Sequence, residues 1–378
     1  MTGAMWGLGT VLGPVVGGAF TTGHGGWRWA FYVNLPIGAL TAPFLLFLIP
    51  EFDALKGTSV INRLKRIDWI GLVVFSGMIC SLVLALQFGG NEFPWNSGQV
   101  IGCFVTFGVL LIIFIFTQTL YMPGQTKERR LFPIDMVFAR TPVLLFVLTA
   151  TASTTVFLAI YYIPIYFQFA RDDTALHSAV RLLPIVFTLV FGCVGGGVLL
   201  AKVGYYSPFY IVGAALGLIG ASLLHTVGLT TPAANLYGYS ILVGLGTGMY
   251  CQAAFSIVPV KVPAEQLGQA TGFIAFGQLI GPTIALSIAG TVLINTATSG
   301  LKQLLPNTPI ETIKNAISGT AGDFLNSLDP TTKTAALNVI VDSIGKVYIL
   351  GITAMAVALV LSIFLRHEKI VISMGGAS

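Results

Sequence analysis

Charge is what this sequence has least of. Only 9% of its 378 residues are Asp, Glu, Lys or Arg, against roughly 25% in ordinary soluble domains, and the mean hydropathy is +0.87. Several long charge-free stretches each exceed the ~20 residues that cross a bilayer as a helix. The sequence therefore predicts an all-α multispanning membrane protein and excludes a soluble domain. These stretches are 69–91, 141–170, 203–260 and 266–301.

The small number of cysteines and the lack of catalytic motifs narrow the range of possible functions. The four cysteines lie inside apolar runs without metal-ligand spacing, so we expect packing residues rather than disulfides or a metal site. The connectors contain no Ser/His/Asp constellation and no phosphate-binding loop, which argues against an enzyme and against a cofactor. The net charge of +5 resides in short loops, where basic residues set topology. We therefore expect a lipid bilayer around the chain and no nucleic-acid partner.

Ten apolar segments are long enough to span the membrane. If the first segment starts in the cytoplasm, 12 of the 19 basic residues fall in inward connectors. Only Arg28, Arg171 and Arg181 fall outward, apart from three lysines in the long connector 295–345 and Lys346 directly after it. The positive-inside rule predicts this orientation. The ten segments are 3–22, 29–49, 68–89, 99–120, 142–168, 180–200, 207–226, 236–258, 268–294 and 346–365.

The connector 295–345 has two helix-start signals. Thr308 precedes Pro309, and Asp329 precedes Pro330, and both pairs suit the first turn of a helix. We expect two short amphipathic helices on the outer face. Such helices act either as a passive cap or as part of a binding surface.

The first segment contains an unusual glycine pattern, GTVLGPVVGG. Three of its glycines recur every four residues, so they lie on one helix face and let a neighbouring helix come close. The proline removes one backbone hydrogen bond and bends the helix. The pattern predicts a tight, bent helix–helix contact. The motif residues are Gly9, Gly13, Pro14, Gly17 and Gly18.

The core of that pattern occurs twice. G-x-x-x-G-P is found again at Gly277, Gly281 and Pro282, also inside an apolar segment. Many transporters are built from two related halves, in which equivalent helices share such features. The repeat favours a two-half transporter.

Several segments resemble the major facilitator superfamily, and within it the fungal fourteen-span drug:proton antiporters. Gly9–Gly18 looks like the antiporter motif of the fifth span, and Trp27–Ala39 like the segment that follows it. Arg66–Gly77 resembles the start of the extra pair of spans that links the two halves, and Ser178–Gly213 resembles two later spans. The resemblance implies an incomplete major facilitator fold of about ten transmembrane helices that lacks the first four of fourteen.

The resemblance also implies a domain organisation. Residues 1–50 hold the last two spans of the N-terminal bundle, and residues 51–141 hold two linker spans with their cytoplasmic loops. Residues 142–370 form a six-span C-terminal bundle, and 371–378 form a short cytoplasmic tail. Gly197–Gly204 resembles a degenerate loop motif without its acidic residue, so we expect a tight cytoplasmic turn there.

A titratable carboxylate in mid-membrane is missing from the ten segments. Proton coupling needs a titratable group in the transport path, and intramembrane acids are the usual choice. We expect that group in the missing spans. Arg181 and His225 lie near segment ends, where we interpret them as interfacial residues.

A site for amphipathic substrates should be an apolar cavity with aromatic walls and a few polar groups. Aromatic and amide side chains inside the apolar segments are candidates for it. Each also has a structural explanation, since tyrosines anchor helices at the interface and glutamines bond neighbouring helices. The cavity candidates are Tyr162, Tyr166, Gln168, Tyr250, Gln252, Phe255 and Gln278.

The resemblance implies proton-coupled efflux of small amphipathic drugs, toxins or secondary metabolites. The implied protein is a monomer in the plasma membrane, with no cofactor or metal. Two alternatives remain: proton-coupled uptake of a small molecule such as an iron chelate, and a truncated membrane protein that does not transport.

Overall fold

The computed structural model describes residues 2–23, 26–48, 59–64, 67–120, 130–263, 266–318 and 322–370. In these ranges the chain is helical, apart from its connections and two isolated β-bridges. The helices are α1 (Thr2–Thr22), α2 (Trp29–Tyr32), α3 (Asn34–Leu48), α4 (Val60–Leu64), α5 (Trp69–Phe88), α6 (Gly98–Thr119), α7 (Ile134–Phe138), α8 (Arg140–Arg171), α9 (Ala175–Val180), α10 (Leu183–Val203), α11 (Ser207–His225), α12 (Ala233–Cys251), α13 (Ala253–Lys261), α14 (Leu267–Leu304), α15 (Ile310–Ile317), α16 (Gly322–Ser327) and α17 (Pro330–Ile363).

The prediction of a multispanning helical protein is confirmed. Within the described ranges, nine helices or consecutive helix pairs are long and apolar enough to cross a membrane: α2–α3, α5, α6, α8, α9–α10, α11, α12–α13, α14 and α17. The remaining predicted segment, 3–22, forms helix α1, which is not among these nine. We call the end of the bundle that the charge pattern predicts to be extracellular the outer end, and the opposite end the inner end.

Local sequence explains where several helices begin. The carboxylate of Asp68 accepts a hydrogen bond of 2.8 Å from the Gly71 N–H and caps α5. Asp329 caps α17 in the same way, with Thr332 N–H at 3.0 Å. A side chain that accepts from a free N–H of the first turn is a strong helix-start signal. The predicted start at Asp329 is therefore confirmed.

Glycines bring α12 close to two neighbours at once. A Cβ at Gly248 would lie 2.5 Å from the carbonyl oxygen of Leu189 in α10. A Cβ at Gly246 would lie 2.5 Å from the backbone nitrogen of Gly217 in α11. Real Cβ atoms do not approach so closely, so only glycine fits these positions. In lipid, where apolar burial drives no association between helices, such close packing is a main source of cohesion.

The buried residues form two clusters, one at each end of the bundle. The outer cluster joins α8, α14 and α17 with α15, and the inner cluster joins α8, α12–α13, α14 and the residues after α17. Helix α5 packs on α6 and on α14, and α1 packs on α9 and α10. Helix α5, predicted to be a linker span, therefore touches a helix of the predicted six-span bundle directly.

The connection between the last two spans is shorter than predicted. Helix α14 continues to Leu304 and α17 begins at Pro330, so the connection is 305–329 instead of 295–345. Helix α15 corresponds to the first predicted amphipathic helix, whereas the second is the first part of α17. Both long helices continue because buried residues recur every four positions beyond the hydrophobic run. These residues are Leu293, Ala297 and Leu301 in α14 and Ala336, Ile340 and Ile344 in α17.

The predicted segment 236–258 is not one continuous helix. Gln252 interrupts it between α12 and α13, with φ −102° and ψ −4°. Similarly, Arg181 and Leu182 form a turn before α10, whose first turn contains Pro184. A proline in a first turn lacks an N–H that would have no helical partner anyway.

Candidate functional site

A cavity of about 1110 Å³ lies at the outer end, between α5, α8, α14 and the connection 305–329. Sites for drug-sized molecules are typically about 300–1,000 Å³, so the cavity can hold such a molecule. Its wall combines apolar side chains with uncharged polar ones. Six of the residues that line it are Gln87, Tyr161, Tyr162, Gln168, Ser287 and Thr291.

Charged residues at the rim of this cavity are largely engaged by protein groups. Asp173 forms an ion pair with Arg181, whose guanidinium also donates 2.8 Å to the Tyr237 hydroxyl. The same guanidinium lies 4.5 Å above the ring of Phe167. Arg171 donates 2.8 Å to the carbonyl of Thr231. Arg181, interpreted from the sequence as an interfacial residue, thus holds the start of α10 to the end of α8.

Three cavity candidates lie on α8, and they separate into two environments. Tyr162 and Gln168 line the outer cavity. Gln168 Nε2 also donates 3.1 Å to the Ser178 hydroxyl. Tyr166 is buried away from this cavity, where its hydroxyl donates a hydrogen bond of 2.9 Å to the carbonyl oxygen of Gly228. The face shared by Tyr162 and Tyr166 is therefore partly core and partly cavity wall.

The remaining candidates lie around the break between α12 and α13. Tyr250 is fully buried, with its ring centroid 4.9 Å from that of Tyr210. Gln278 directs Nε2 toward the thiol of Cys251, at 3.9 Å. Gln252 and Phe255 are half-buried. The structure does not bring the seven candidates together in one cavity, and their binding roles stay predictions.

The glycine motif of α1 is mostly open in this structure. A Cβ at Gly9, Gly13 or Gly17 would meet no atom of the described residues within 4 Å. Gly18 makes the close approach instead, since a Cβ there would lie 3.0 Å from the carbonyl oxygen of Ala175 in α9. The predicted tight contact of the strip is not formed in this conformation.

The second copy of the motif is tightly packed. A Cβ at Gly277 would lie 2.9 Å from the carbonyl oxygen of Phe146, and one at Gly281 would lie 2.6 Å from that of Ala150. Both neighbours belong to α8, and Pro282 is buried beside them. Here G-x-x-x-G-P makes the close helix contact that its spacing predicts.

Sequence reasoning missed a polar junction at the inner end of the linker spans. Asp68 accepts 2.8 Å from Gln118 Nε2 and 3.3 Å from the Leu131 N–H. The side-chain oxygen Oε1 of Gln118 accepts a hydrogen bond of 3.1 Å from the Phe132 N–H. The junction ties α5, α6 and the chain before α7 together. An acidic residue directly before an apolar run is the signal that marks it.

A second missed cluster lies at the inner end of the C-terminal spans. Glu368 binds Lys261 Nζ at 2.8 Å and accepts 3.1 Å from the Tyr206 hydroxyl. The hydrogen bond from Lys261 is the main reason that the pKa of Glu368 is lowered, whereas burial raises the pKa of Tyr206. The Ile370 N–H donates 2.8 Å to the carbonyl of Gly204, whose φ of +77° favours glycine. The prediction of a turn over Gly197–Gly204 is wrong for most of that stretch, because α10 continues to Val203. The turn begins at Gly204 and is clamped by the chain after α17.

The comparisons with known proteins agree on one family. The model of the Major Facilitator Superfamily matches residues 1–286. The MFS-type transporter pgmG of Aspergillus terreus is 44% identical over 373 residues, which cover 99% of this chain and 66% of that protein. The efflux pump alnA of Emericella nidulans is 41% identical over 379 residues, covering 100% and 68%.

The Phomenoic acid biosynthesis cluster MFS-type transporter of Leptosphaeria maculans is 38% identical over 396 residues, covering 100% of this chain and 63% of that protein. This chain therefore spans about two thirds of the length of these curated relatives. The matched relatives are membrane transporters and not enzymes. On the family match and on identities of this size, the chain belongs to the Major Facilitator Superfamily.

Proposed function

We propose that this protein exports small amphipathic compounds, such as fungal secondary metabolites or drugs, in exchange for protons across the plasma membrane. The observation that carries the proposal is the outer cavity of about 1110 Å³, whose wall is both apolar and polar. Two relatives support it by name, as an efflux pump and as a transporter of a biosynthesis cluster. Amphipathic walls suit ligands that enter from a membrane.

The mechanism would be a movement of one rigid half against the other. The C-terminal spans suit a rigid half because backbone contacts at Gly246, Gly248 and Gly281 leave no room for sliding. Helix α1 contacts this half through Gly18, while its glycine strip at Gly9, Gly13 and Gly17 has no close neighbour among the described residues. We propose that the strip packs against another helix in a second conformation and seals the path there.

Direction and coupling are tested together in inside-out vesicles that contain the full-length protein. We expect an inward-acid pH gradient to drive accumulation of a neutral probe, Nile red, and an ionophore that collapses the gradient to abolish it. Because the vesicles are inverted, accumulation corresponds to export from the cell. Loss of preloaded probe under the same gradient would instead indicate uptake. Equal signals in vesicles with and without the protein would indicate no transport.

Gly13→Leu tests the role of the strip. A Cβ at Gly13 would meet no atom of the described residues within 4 Å, so we expect normal expression and membrane insertion. Export should be abolished or become leaky, because the side chain would hold the second conformation apart. Gly38→Leu is the matched control, since Gly38 also has open space but lies outside the motif. Wild-type export by Gly13→Leu would contradict the proposal.

A further inference from the structure

One stripe of helix α5 faces the outer cavity. Val83 and Gln87 are four residues apart in the last turns of α5, Asn91 follows just beyond the end of the helix, and all three line the cavity. Helix α5 belongs to the pair predicted to link the two halves of the protein. Helix α5 therefore contributes to the enclosure of this cavity, together with α8, α14 and the first turns of α17.

Gln87 is the unusual member of the stripe. It is exposed near the end of a helix with a mean hydropathy of 2.4 over its most apolar window. An amide that faces hydrocarbon without a hydrogen-bond partner costs several kcal/mol. In this structure the amide instead borders a cavity whose other walls offer Ser287 and Thr291. A polar side chain at this point is suited to meet water or a ligand, and not lipid tails.

Contacts at the outer end hold this stripe in place. The Thr291 hydroxyl of α14 donates 2.6 Å to the carbonyl of Leu86 in α5. Lys314 of α15 donates to the carbonyl of Asn91. Helix α15 in turn buries Ile313 and Ile317 in the outer cluster. The connection 305–329 thus bridges the linker pair and the six-span bundle above the cavity.

Toward the inner end, aromatic rings hold α5 against α14. The ring centroids of Phe75 and Phe276 are 5.0 Å apart, and those of Phe75 and Phe114 are 5.4 Å apart. Phe276 also meets Phe132 at 5.8 Å. With α5 attached to α14 at both ends, the wall of the cavity keeps its shape without a ligand.

The chemistry of the wall indicates which ligands it suits. Apart from Arg171, Lys333 and the two aspartates at the rim, the polar groups of the wall are uncharged amides and hydroxyls, and Tyr161 adds a largely exposed aromatic ring. At the rim, Lys333 donates 2.6 Å to Asn326 Oδ1, and Asp173 is paired with Arg181. Asp172 is exposed there beside Arg171. Neither sign of charge dominates, which favours an uncharged ligand with one polar and one apolar side.

We propose that the linker helix α5 forms a ligand-contacting wall of the outer cavity, in which Gln87 hydrogen-bonds an uncharged amphipathic molecule and Val83 contacts its apolar part. This rests on the proposed function for its biological meaning, since the ligand would be a transported compound. The linker pair then takes part in substrate selection as well as connecting the two halves.

Cysteine labelling tests the wall directly. All native cysteines of the full-length protein, including the four of this sequence, are replaced by alanine, and Gln87→Cys, Val83→Cys or Leu84→Cys is introduced. Leu84 is the matched control because it is exposed on the same helix but does not line the cavity. We expect a membrane-impermeant maleimide added outside to label Gln87→Cys at least tenfold faster than Leu84→Cys. Nile red should slow that labelling at least threefold, and cationic rhodamine 6G and anionic fluorescein should slow it less.

Ligand preference is tested with Gln87→Leu and Leu84→Ala. Loss of one hydrogen bond worth ~0.5–1.5 kcal/mol corresponds to a roughly two- to tenfold weaker apparent affinity for Nile red. Leu84→Ala should leave that affinity unchanged. Equal labelling rates of Gln87→Cys and Leu84→Cys, or labelling that none of the three probes slows, would overturn the proposal. If Gln87→Cys does not fold, the same comparison is made between Val83→Cys and Leu84→Cys. If the unmodified protein exports Nile red but the cysteines at 83 and 87 are not labelled, the ligand-contacting role of α5 is refuted and the proposed export function is not. If Nile red protects these cysteines but the unmodified protein does not export it, the export function is refuted and the ligand-contacting role is not.

Discussion

The tight contact at the second glycine motif can be tested by adding a single methyl group. Gly281→Ala would place a Cβ 2.6 Å from the carbonyl oxygen of Ala150 and 2.9 Å from Thr154 Oγ1. The nearer atom is helix backbone, which cannot rotate away as a side chain can. The substitution therefore forces α14 and α8 apart over their contact. Overpacking of this kind costs about 1–3 kcal/mol.

Helix propensity acts in the opposite direction, because alanine is better than glycine in a helix interior by about 0.8–1.0 kcal/mol. Gly272→Ala separates the two effects. Gly272 lies on the same helix, and a Cβ there would meet no described atom within 4 Å. The propensity gain is then common to both variants, and their difference is the steric cost of about 1–3 kcal/mol.

The measurement is the thermal unfolding midpoint of each purified variant in the same detergent. With an unfolding entropy of about 2.1 cal/mol/K per residue, a cost of 1–3 kcal/mol lowers the midpoint by roughly 1–4 °C. We expect Gly281→Ala to unfold that far below Gly272→Ala, which should match or exceed the unmodified protein. A Gly281→Ala midpoint equal to or above that of Gly272→Ala would refute the close contact between α8 and α14.

Two further predictions concern the attachments of the bundle. Thr291→Val removes the hydroxyl that bonds the Leu86 carbonyl and should lower the free energy of unfolding by ~0.5–1.5 kcal/mol. Thr353→Val loses a hydrogen bond only within its own helix and should lower it less. Equal unfolding midpoints for the two variants would count against the bond from Thr291 to α5. The lowered pKa of Glu368 means that its ion pair with Lys261 stabilises the protein above the ordinary glutamate pKa of about 4.3 and is lost as the pH falls through the lower folded value. Glu368→Gln should therefore have a lower unfolding midpoint than the unmodified protein at pH 7, and this difference should disappear once the pH falls below the lowered pKa of Glu368, as midpoints measured from pH 7 downward will show.

The helical spans could be predicted because their signal is local. A charge-free run such as 141–170 has only one stable conformation in lipid, since all backbone groups must be bonded within the segment. The ends of the long helices were harder to predict. Helix α14 passes Lys302 because Leu301 is buried against α17, and hydropathy does not record a partner that is distant in sequence.

The candidate site was only partly predictable for the same reason. Tyr162 and Gln168 could be chosen by residue type, and both line the cavity. Tyr166 and Tyr250 have the same composition signal but are packed in the core, where the Gly228 carbonyl and the ring of Tyr210 lie beside them. Which tyrosine faces a cavity depends on where helices end and bend, so residue type alone could not separate these four.

The two copies of G-x-x-x-G-P indicate why a protein would keep an uncovered glycine strip. Each glycine in a helix interior costs roughly 0.5–1 kcal/mol relative to alanine. Gly277 and Gly281 offset that cost through their contact with α8, but Gly9, Gly13 and Gly17 have no such contact with the described residues. The strip of α1 is then destabilising by roughly 1.5–3 kcal/mol unless a helix outside the described residues or a second conformation covers it. A surface that is costly in one state and packed in another biases the balance between the two states, and that makes the strip a suitable place for a transporter to control its own conformational change.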